Sequence, residues 1–358
     1  KEYRKRNKTM VLKLDKKMYA EIEKTGFENP SIVYLNNDLA NMLNIDLELL
    51  RAQKGIDFLS GNSKHPKYAQ AYAGHQYEHF TMLGDGRALM IGEHVNKKNE
   101  RVDLHLKGSG KTPFSRSGDG KATLITMLRE YLISEAMFQL GVPTSRSLAI
   151  LKTGEKVRRE QLNDGAILVR TAKSHIRVGT FQYVHALRDL SLLKEFTDYT
   201  INRHYWYIED NPNKYQAFLK EVINNQAKLV SKWLSVGFVH GVMNTDNVLI
   251  SGETIDYGPC AFIDEYNPMS VYSSIDSSGR YRYNNQPYIT SWNMARFAET
   301  ILQLLDEDAT KAVEIANQEL SKFETIFNTY WLQDMSKKLG ILDPVDDDKT
   351  LIQELLNI

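Results

Sequence analysis

The chain has 358 residues, 45 Lys and Arg against 45 Asp and Glu, and one cysteine, Cys260. A formal net charge of zero removes any overall call for nucleic acid or an anionic membrane surface, and one cysteine excludes an intramolecular disulfide framework or a cysteine-rich zinc module. A bound metal would have to be held by oxygen or imidazole. No stretch is long and apolar enough for a membrane span, and the basic start KEYRKRNKTM lacks the apolar core of a signal peptide, so the expectation is a soluble, cytoplasmic protein.

Three regimes follow one another along the chain. Residues 1–60 mix short helical patterns, such as Leu39, Met42, Leu43 and Leu47, with polar turns, and read as an extension packed on the core. Residues 61–172 are strand-rich: Ala88 to Glu93, Val102 to Lys107, Ser147 to Lys152 and Ala166 to Thr171 are short apolar runs bounded by Gly, Asp or charge. One helix interrupts them, from about Lys121 to Leu140, and stops at Gly141-Val142-Pro143. Residues 173–358 are mainly helical, apart from strand-like Val248 to Ile250 and Ala261 to Ile263. This order predicts an α+β, protein-kinase-like bilobal fold, with a β-rich N-lobe carrying one key helix and a mainly helical C-lobe.

Within that frame the polar motifs fall in a telling order. In LGDGR, Gly84 and Gly86 flank a turn before a strand and Arg87 stands beside it; a DG pair is ordinarily a hairpin turn, but the guanidinium suits phosphate. Lys107 ends the strand DLHLK, and Glu130 lies 23 residues on, in the helix, where a kinase fold places the carboxylate partner of its phosphate-binding lysine. Glu135 is the competing partner. Between them runs the glycine-rich loop GSGKTPFSRSGDGKA, with Asp119 and Gly120 just before the helix, as in an anion cradle. Arg170 ends a strand and Arg177 opens a helix, so the two can clamp phosphates from one groove.

The string HGVMNTDNVLISGETIDYG, residues 240–258, has the spacing of a kinase catalytic loop followed by its metal-binding triplet, with one change. Asn247 and Asp256 fall on the two magnesium-ligand positions, but Val242 stands where a kinase has its catalytic aspartate. A valine cannot take a proton. Asp246, beside the asparagine, is the substitute base that this pattern offers.

These strings, together with YAGHQY at 72–77, RTAKSHIRVGTFQ at 170–182 and QPYITSWNMARFAE at 286–299, resemble the selenoprotein O family, the kinase-like protein adenylyltransferases of bacteria and mitochondria. The resemblance implies ATP bound in a flipped orientation, with AMP passing to Ser, Thr or Tyr hydroxyls of protein substrates, some of them redox-related. It implies Mg2+, with Mn2+ as the alternative ion, on Asn247 and Asp256, and nucleotide contacts from Gly84, Gly86, Arg87, Lys107, Asp119, Gly120, Arg170, Arg177 and Asp256. Glu130 would be the lysine partner and Asp246 the proton acceptor. Several members carry a Cys or selenocysteine near the C-terminus; this chain has only Cys260, beside the metal motif. The residues alone also accommodate a phosphotransferase using Asp246 as base, or a non-catalytic nucleotide-binding scaffold.

Overall fold

The computed structural model describes residues 14–23, 26–77 and 79–358. The first part of the chain forms β1 (Tyr19–Glu21), β2 (Ser31–Leu35), three short helices α1 (Asn37–Leu43), α2 (Leu47–Arg51) and α3 (Gln53–Leu59), then β3 (Tyr68–Gln76), β4 (His79–Gly84), β5 (Ala88–Val95) and β6 (Arg101–Lys107). After a long loop come β7 (Ala122–Thr123), helix α4 (Leu124–Gln139), β8 (Arg146–Arg158) and β9 (Leu162–Ala172). These strands make one antiparallel sheet in the order β1-β3-β5-β6-β9-β8-β2, with β4 on β3 and β7 on β9.

Strand alternation gives the sheet two different faces. Leu104 and Leu106 of β6, with Ile167 and Val169 of β9, point to one side and are buried against Leu39, Leu43, Leu50 and Leu59 of the N-terminal helices. Asp103, His105 and Lys107 therefore point to the other side. The register sets His105 opposite Arg170, so that both polar side chains share this second face. Helix α4 lies across it, with Met127 packed on Ile150, Ala166 and Leu168. The turn of α4 that faces the sheet buries Met127, Glu130, Ser134 and Met137, whereas Ile125, Leu128 and Leu132 are exposed. The helix ends as its sequence predicts, at Gly141 with φ 76°, where the Val142 N–H reaches the Met137 carbonyl at 3.0 Å.

The rest of the chain is helical: α5 (Val178–Ala186), α6 (Leu190–His204), α7 (Lys214–Ser235), α8 (Gln286–Thr300), α9 (Leu302–Leu305), α10 (Ala309–Leu320), α11 (Phe323–Lys338) and α12 (Asp346–Leu356). Its core is aromatic, with Phe181 4.8 Å from Phe196 and 5.1 Å from Phe297, centroid to centroid. Two short strands, β10 (Phe238–Val239) and β11 (Ala261–Phe262), pair and bracket the loop that carries Asp246, Asn247 and Asp256. The expectation of a strand at Val248 to Ile250 is corrected: Leu249 forms only an isolated bridge with Arg177, flanked by bonds from the Val178 N–H to Val248 O (2.8 Å) and from the Ile250 N–H to Ile176 O (3.0 Å). The apolar run is there to lock this loop to the start of α5. The whole is an α+β arrangement, a β-rich part that carries one key helix followed by a mainly helical part.

Candidate active site

Asp256 is the hub. Its backbone is left-handed, φ 62°, a conformation that aspartate adopts more readily than most non-glycine residues, and three cations surround its carboxylate. Lys107 Nζ lies 3.0 Å and Arg170 Nη1 2.7 Å from Oδ1, while Arg177 Nη1 lies 2.6 Å from Oδ2. Burial alone would raise the Asp256 pKa, but Lys107, Arg170 and Arg177 together hold it well below the usual carboxylate range. Lys107 also donates to Glu130 Oε2 at 2.7 Å, and Arg170 approaches Glu130 Oε1 at 3.5 Å. Glu130 is thus the lysine's partner. Glu135, the competing candidate, is held elsewhere, by a forked contact from Arg146.

Lys107, Glu130, Arg170 and Arg177 are all at most 5% exposed. The three buried cations converge on the two carboxylates of Glu130 and Asp256, with the buried carboxyls of Asp85 and Asp246 also in the field of Arg177, in a chain whose overall charge is zero. Arg177 also donates to the Asp246 carbonyl at 2.5 Å, and its guanidinium lies over the Tyr72 ring, 4.7 Å from the centroid.

Asp246 sits on a single 3-10 turn, Thr245–Asn247, and is 8% exposed. Its Oδ1 is buried with no hydrogen-bond partner. Burial pushes this carboxyl up to about 6, with Arg177 pulling the other way. Two glycines that sequence reasoning gave no role make room for it. A Cβ on Gly74 would stand 2.3 Å from Asp246 Oδ1, and one on Gly179 would meet the Ala73 carbonyl at 2.0 Å. The β3–β4 hairpin is therefore pressed onto the turn, and the His75 N–H donates to Thr245 Oγ1 at 2.7 Å. YAGHQY was visible as a motif; what it lacked was any signal of what it packs against.

Asn247 donates its amide nitrogen to the Val242 carbonyl at 3.0 Å, so the opposite end, Oδ1, is the one a cation would take. Among the described residues no group of three or more His, Cys, Asp or Glu could hold a metal on its own. The oxygen donors that are present, Asn247 Oδ1 and the Asp256 carboxylate, fit a hard cation that brings water and phosphate oxygens to complete its shell, which is how Mg2+ is usually bound. His240 is structural. It takes the Val242 N–H on Nδ1 at 3.3 Å and pairs Nε2 with the Ile255 carbonyl at 2.7 Å.

The remaining predicted residues lie around a cavity of about 380 Å³ that Asp246 also lines, with Tyr72, Gln76 and Phe114. Gly84, Gly86, Arg87, Asp119 and Gly120 are all on its wall. Gly84 is needed there for a different reason from backbone access: a Cβ would strike the Phe114 ring at 2.3 Å. The loop after β6 folds over the 84–87 turn, Thr112 donating to Asp85 O at 2.5 Å and Ser115 to Gly86 O. Gly120, at φ 69°, lies so close to Gly110 that a Cβ would stand 2.2 Å from its carbonyl. The Asp119 carboxylate is taken by Arg159 at 2.8 and 2.9 Å, so it presents a guanidinium to the cavity. Arg159 was missed because a surface arginine between two strands carries no local pattern.

The family model described as "Protein adenylyltransferase SelO" matches residues 3–358. The chain belongs to the SelO family. By class it is a nucleotidyltransferase. It is similar to curated relatives named protein nucleotidyltransferase YdiU: 56% identity to that of Clostridium botulinum (strain Alaska E43 / Type E3), covering 97% of this chain and 71% of the relative. That of Bacillus cytotoxicus is 54% identical over 96% of this chain and 71% of its own length. Among solved structures, ROP2 from Toxoplasma gondii, described as a virulence factor with a protein-kinase fold and no enzymatic activity, covers 82% of this chain at 10% identity and a TM-score of 0.34. That likeness is too slight to add to the ion-pair geometry.

Proposed function

We propose that this SelO-family chain transfers AMP from ATP to Ser, Thr or Tyr hydroxyls of protein substrates, with ATP flipped so that its α-phosphate faces the acceptor. The observation that carries this reading is Asp246: a buried carboxyl, raised to about 6, with an unpartnered oxygen on the wall of the cavity, in a loop whose usual base position is Val242. A carboxyl so placed is suited to take a proton near neutral pH. It accepts the proton of the acceptor hydroxyl as that oxygen bonds to the α-phosphorus. The bond from the α-phosphorus to the oxygen bridging to the β-phosphate breaks, and pyrophosphate leaves.

Lys107, Arg170 and Arg177 bind and orient the phosphates, and Glu130 fixes Lys107. Arg87 lines the cavity beside Gly84, Gly86, Gly120 and the Asp119–Arg159 ion pair, and supplies a guanidinium to phosphate there. Asn247 and Asp256 would hold Mg2+, or Mn2+ in its place, which when bound offsets charge on the phosphates. No helix among the described residues is long and apolar enough to cross a membrane, and a single buried thiol suits the reducing cytoplasm in which we place the reaction.

Incubation with a general protein acceptor and ATP labelled at either the α or the γ position tests the reading. Label should pass to protein from the α position only. Transfer from the γ position alone would make the chain a phosphotransferase, and transfer from neither, with ATP bound, would make it a scaffold.

A further inference from the structure

Arg170 meets Asp256 through Nη1, but its Nε points elsewhere, to Nδ1 of His105 at 3.0 Å. An arginine Nε always carries its proton in a protein, so this contact requires Nδ1 of His105 to be the bare ring nitrogen. The ring proton then sits on Nε2, which lies 3.3 Å from Asp85 Oδ2. Asp85 is fixed in turn, the Gln70 N–H donating to the same oxygen at 2.9 Å. The side chains of His105 and Asp85 are 0% and 1% exposed. His105 also stacks on His175, with centroids 4.1 Å apart and planes 19° from parallel, and His175 Nδ1 is 3.1 Å from Asp103 Oδ2. The imidazole can neither tilt nor turn over.

We propose that His105, with Asp85 setting its tautomer, is a positioning residue that fixes the guanidinium plane of Arg170 through an uncharged acceptor, adding no carboxylate at Nε to those that Arg170 already meets at Nη1 and that nucleotide phosphate must compete with. The inference rests on the reading that Arg170 meets those phosphates. Its physical content lies in the choice of partner. A carboxylate on Nε would orient the guanidinium equally well but would neutralise it, in competition with both Asp256 and an incoming phosphate. An imidazole that must stay neutral orients without that competition. Burial first, then the neighbouring Arg170 and Arg177, hold the His105 pKa well below its ordinary value, consistent with the tautomer that the geometry demands. The carboxylate that selects the tautomer, Asp85, stands on the far side of the ring from Arg170.

The test uses His105→Asn, which retains an acceptor near the Nδ1 position, His105→Gln, which retains a polar atom only near Nε2, and His105→Phe, which retains neither. ATP affinity is measured directly, without acceptor protein, beside KM and kcat for transfer and the melting temperature. His105→Asn should stay within about threefold of wild type in Kd and KM for ATP, and His105→Gln and His105→Phe should weaken both about tenfold or more. Asp85→Asn, which releases the tautomer lock without changing volume, should fall between and serves if His105→Phe does not fold. If the Asn and Gln variants weaken ATP equally, or if any of them lowers the melting temperature while ATP affinity holds, His105 is a core group and the proposal is overturned. If the wild-type protein binds no ATP, the functional reading falls with it; if it binds ATP and the His105 series is flat, only this inference falls.

Discussion

A carboxyl that is 8% exposed with one oxygen lacking a partner carries a desolvation penalty that Arg177 and Gln76 offset only in part. Asp246→Asn removes the charge and keeps the volume, so the fold should tolerate it, with a melting temperature equal to or above wild type. Transfer of α-label should fall by about 10² to 10⁴, the usual worth of a positioned base, while ATP affinity changes little. Activity above a tenth of wild type in single-turnover assays would remove Asp246 from proton transfer. At this scale the sequence was informative wherever a residue belonged to a spaced motif. Lys107 and Glu130, 23 residues apart, do meet at 2.7 Å, and Arg170 and Arg177, each unremarkable alone, converge on Asp256. Asp85 and His105 were not legible. An aspartate between two glycines reads as a turn, and an alternating DLHLK reads as an ordinary strand; only the register opposite Arg170 gives His105 its partner.

Among the elements, the β3–β4 hairpin does what the strand-rich core cannot: it reaches beyond the sheet to touch the turn that carries Asp246. His75 bonds Thr245, and the Tyr77 N–H reaches Asn244 Oδ1 at 3.3 Å, the same oxygen that takes the Tyr281 hydroxyl at 2.7 Å. Gly74→Ala tests this contact. The strand conformation of Gly74 admits alanine, but the added Cβ must displace Asp246 or the hairpin, at a cost of about 1 to 3 kcal/mol for an overpacked site. Transfer should drop at least tenfold, with a modest loss of melting temperature; full activity would show that the turn does not need the hairpin where it is. The strands at 88–95 and 101–107 were readable as apolar runs, and helix α4 from its spacing and its Gly-Pro stop. The hairpin was not, because Tyr68–Gln76 carries polar residues whose partners, such as Gln182 and Thr245, lie about 107 and 170 positions later. The buried side of α4 was hidden for a similar reason: it turns Glu130 inward to Lys107 and Ser134 inward to Ser147, and leaves leucines outside.

For the molecule as a whole, the sheet and the helical part are joined by buried charge. Arg203 of α6 donates to Asp103 of β6 at 2.7 Å and to Glu93 of β5 at 2.8 Å, and the His175 N–H donates to Asp103 at 2.8 Å. Burial, reinforced by neighbouring charge and by His105, lowers His175 to about 3; burial and Arg203 lower His204 to about 3 as well. Burial alone would raise Asp103, but Arg203 and His175 outweigh it and hold it at about 2. The sign of the linkage follows. An unfolded histidine takes a proton near pH 6.5 that the native one refuses until about 3, so each imidazole's stabilisation is complete above 6.5 and is lost progressively as pH falls toward 3. Each costs roughly 1.4 kcal/mol per pH unit across that window. Asp103 adds its own loss only below its ordinary 3.8, down to about 2. A domain is stable by about 5 to 15 kcal/mol, so these histidines should begin to unfold the protein before Asp103 titrates, while Asp246, raised to about 6, offsets up to one proton of the slope below that pH. Denaturant titrations from pH 8 to 4 should give a flat stability above 7 and a steady fall below 6.5. His204→Gln, which keeps a partner near the Ser174 hydroxyl now 2.7 Å from Nε2, should reduce that slope by about one proton. A slope that is the same in both proteins would mean that His204 is protonated in the native state, and that the junction between sheet and helices is not held by neutral imidazoles.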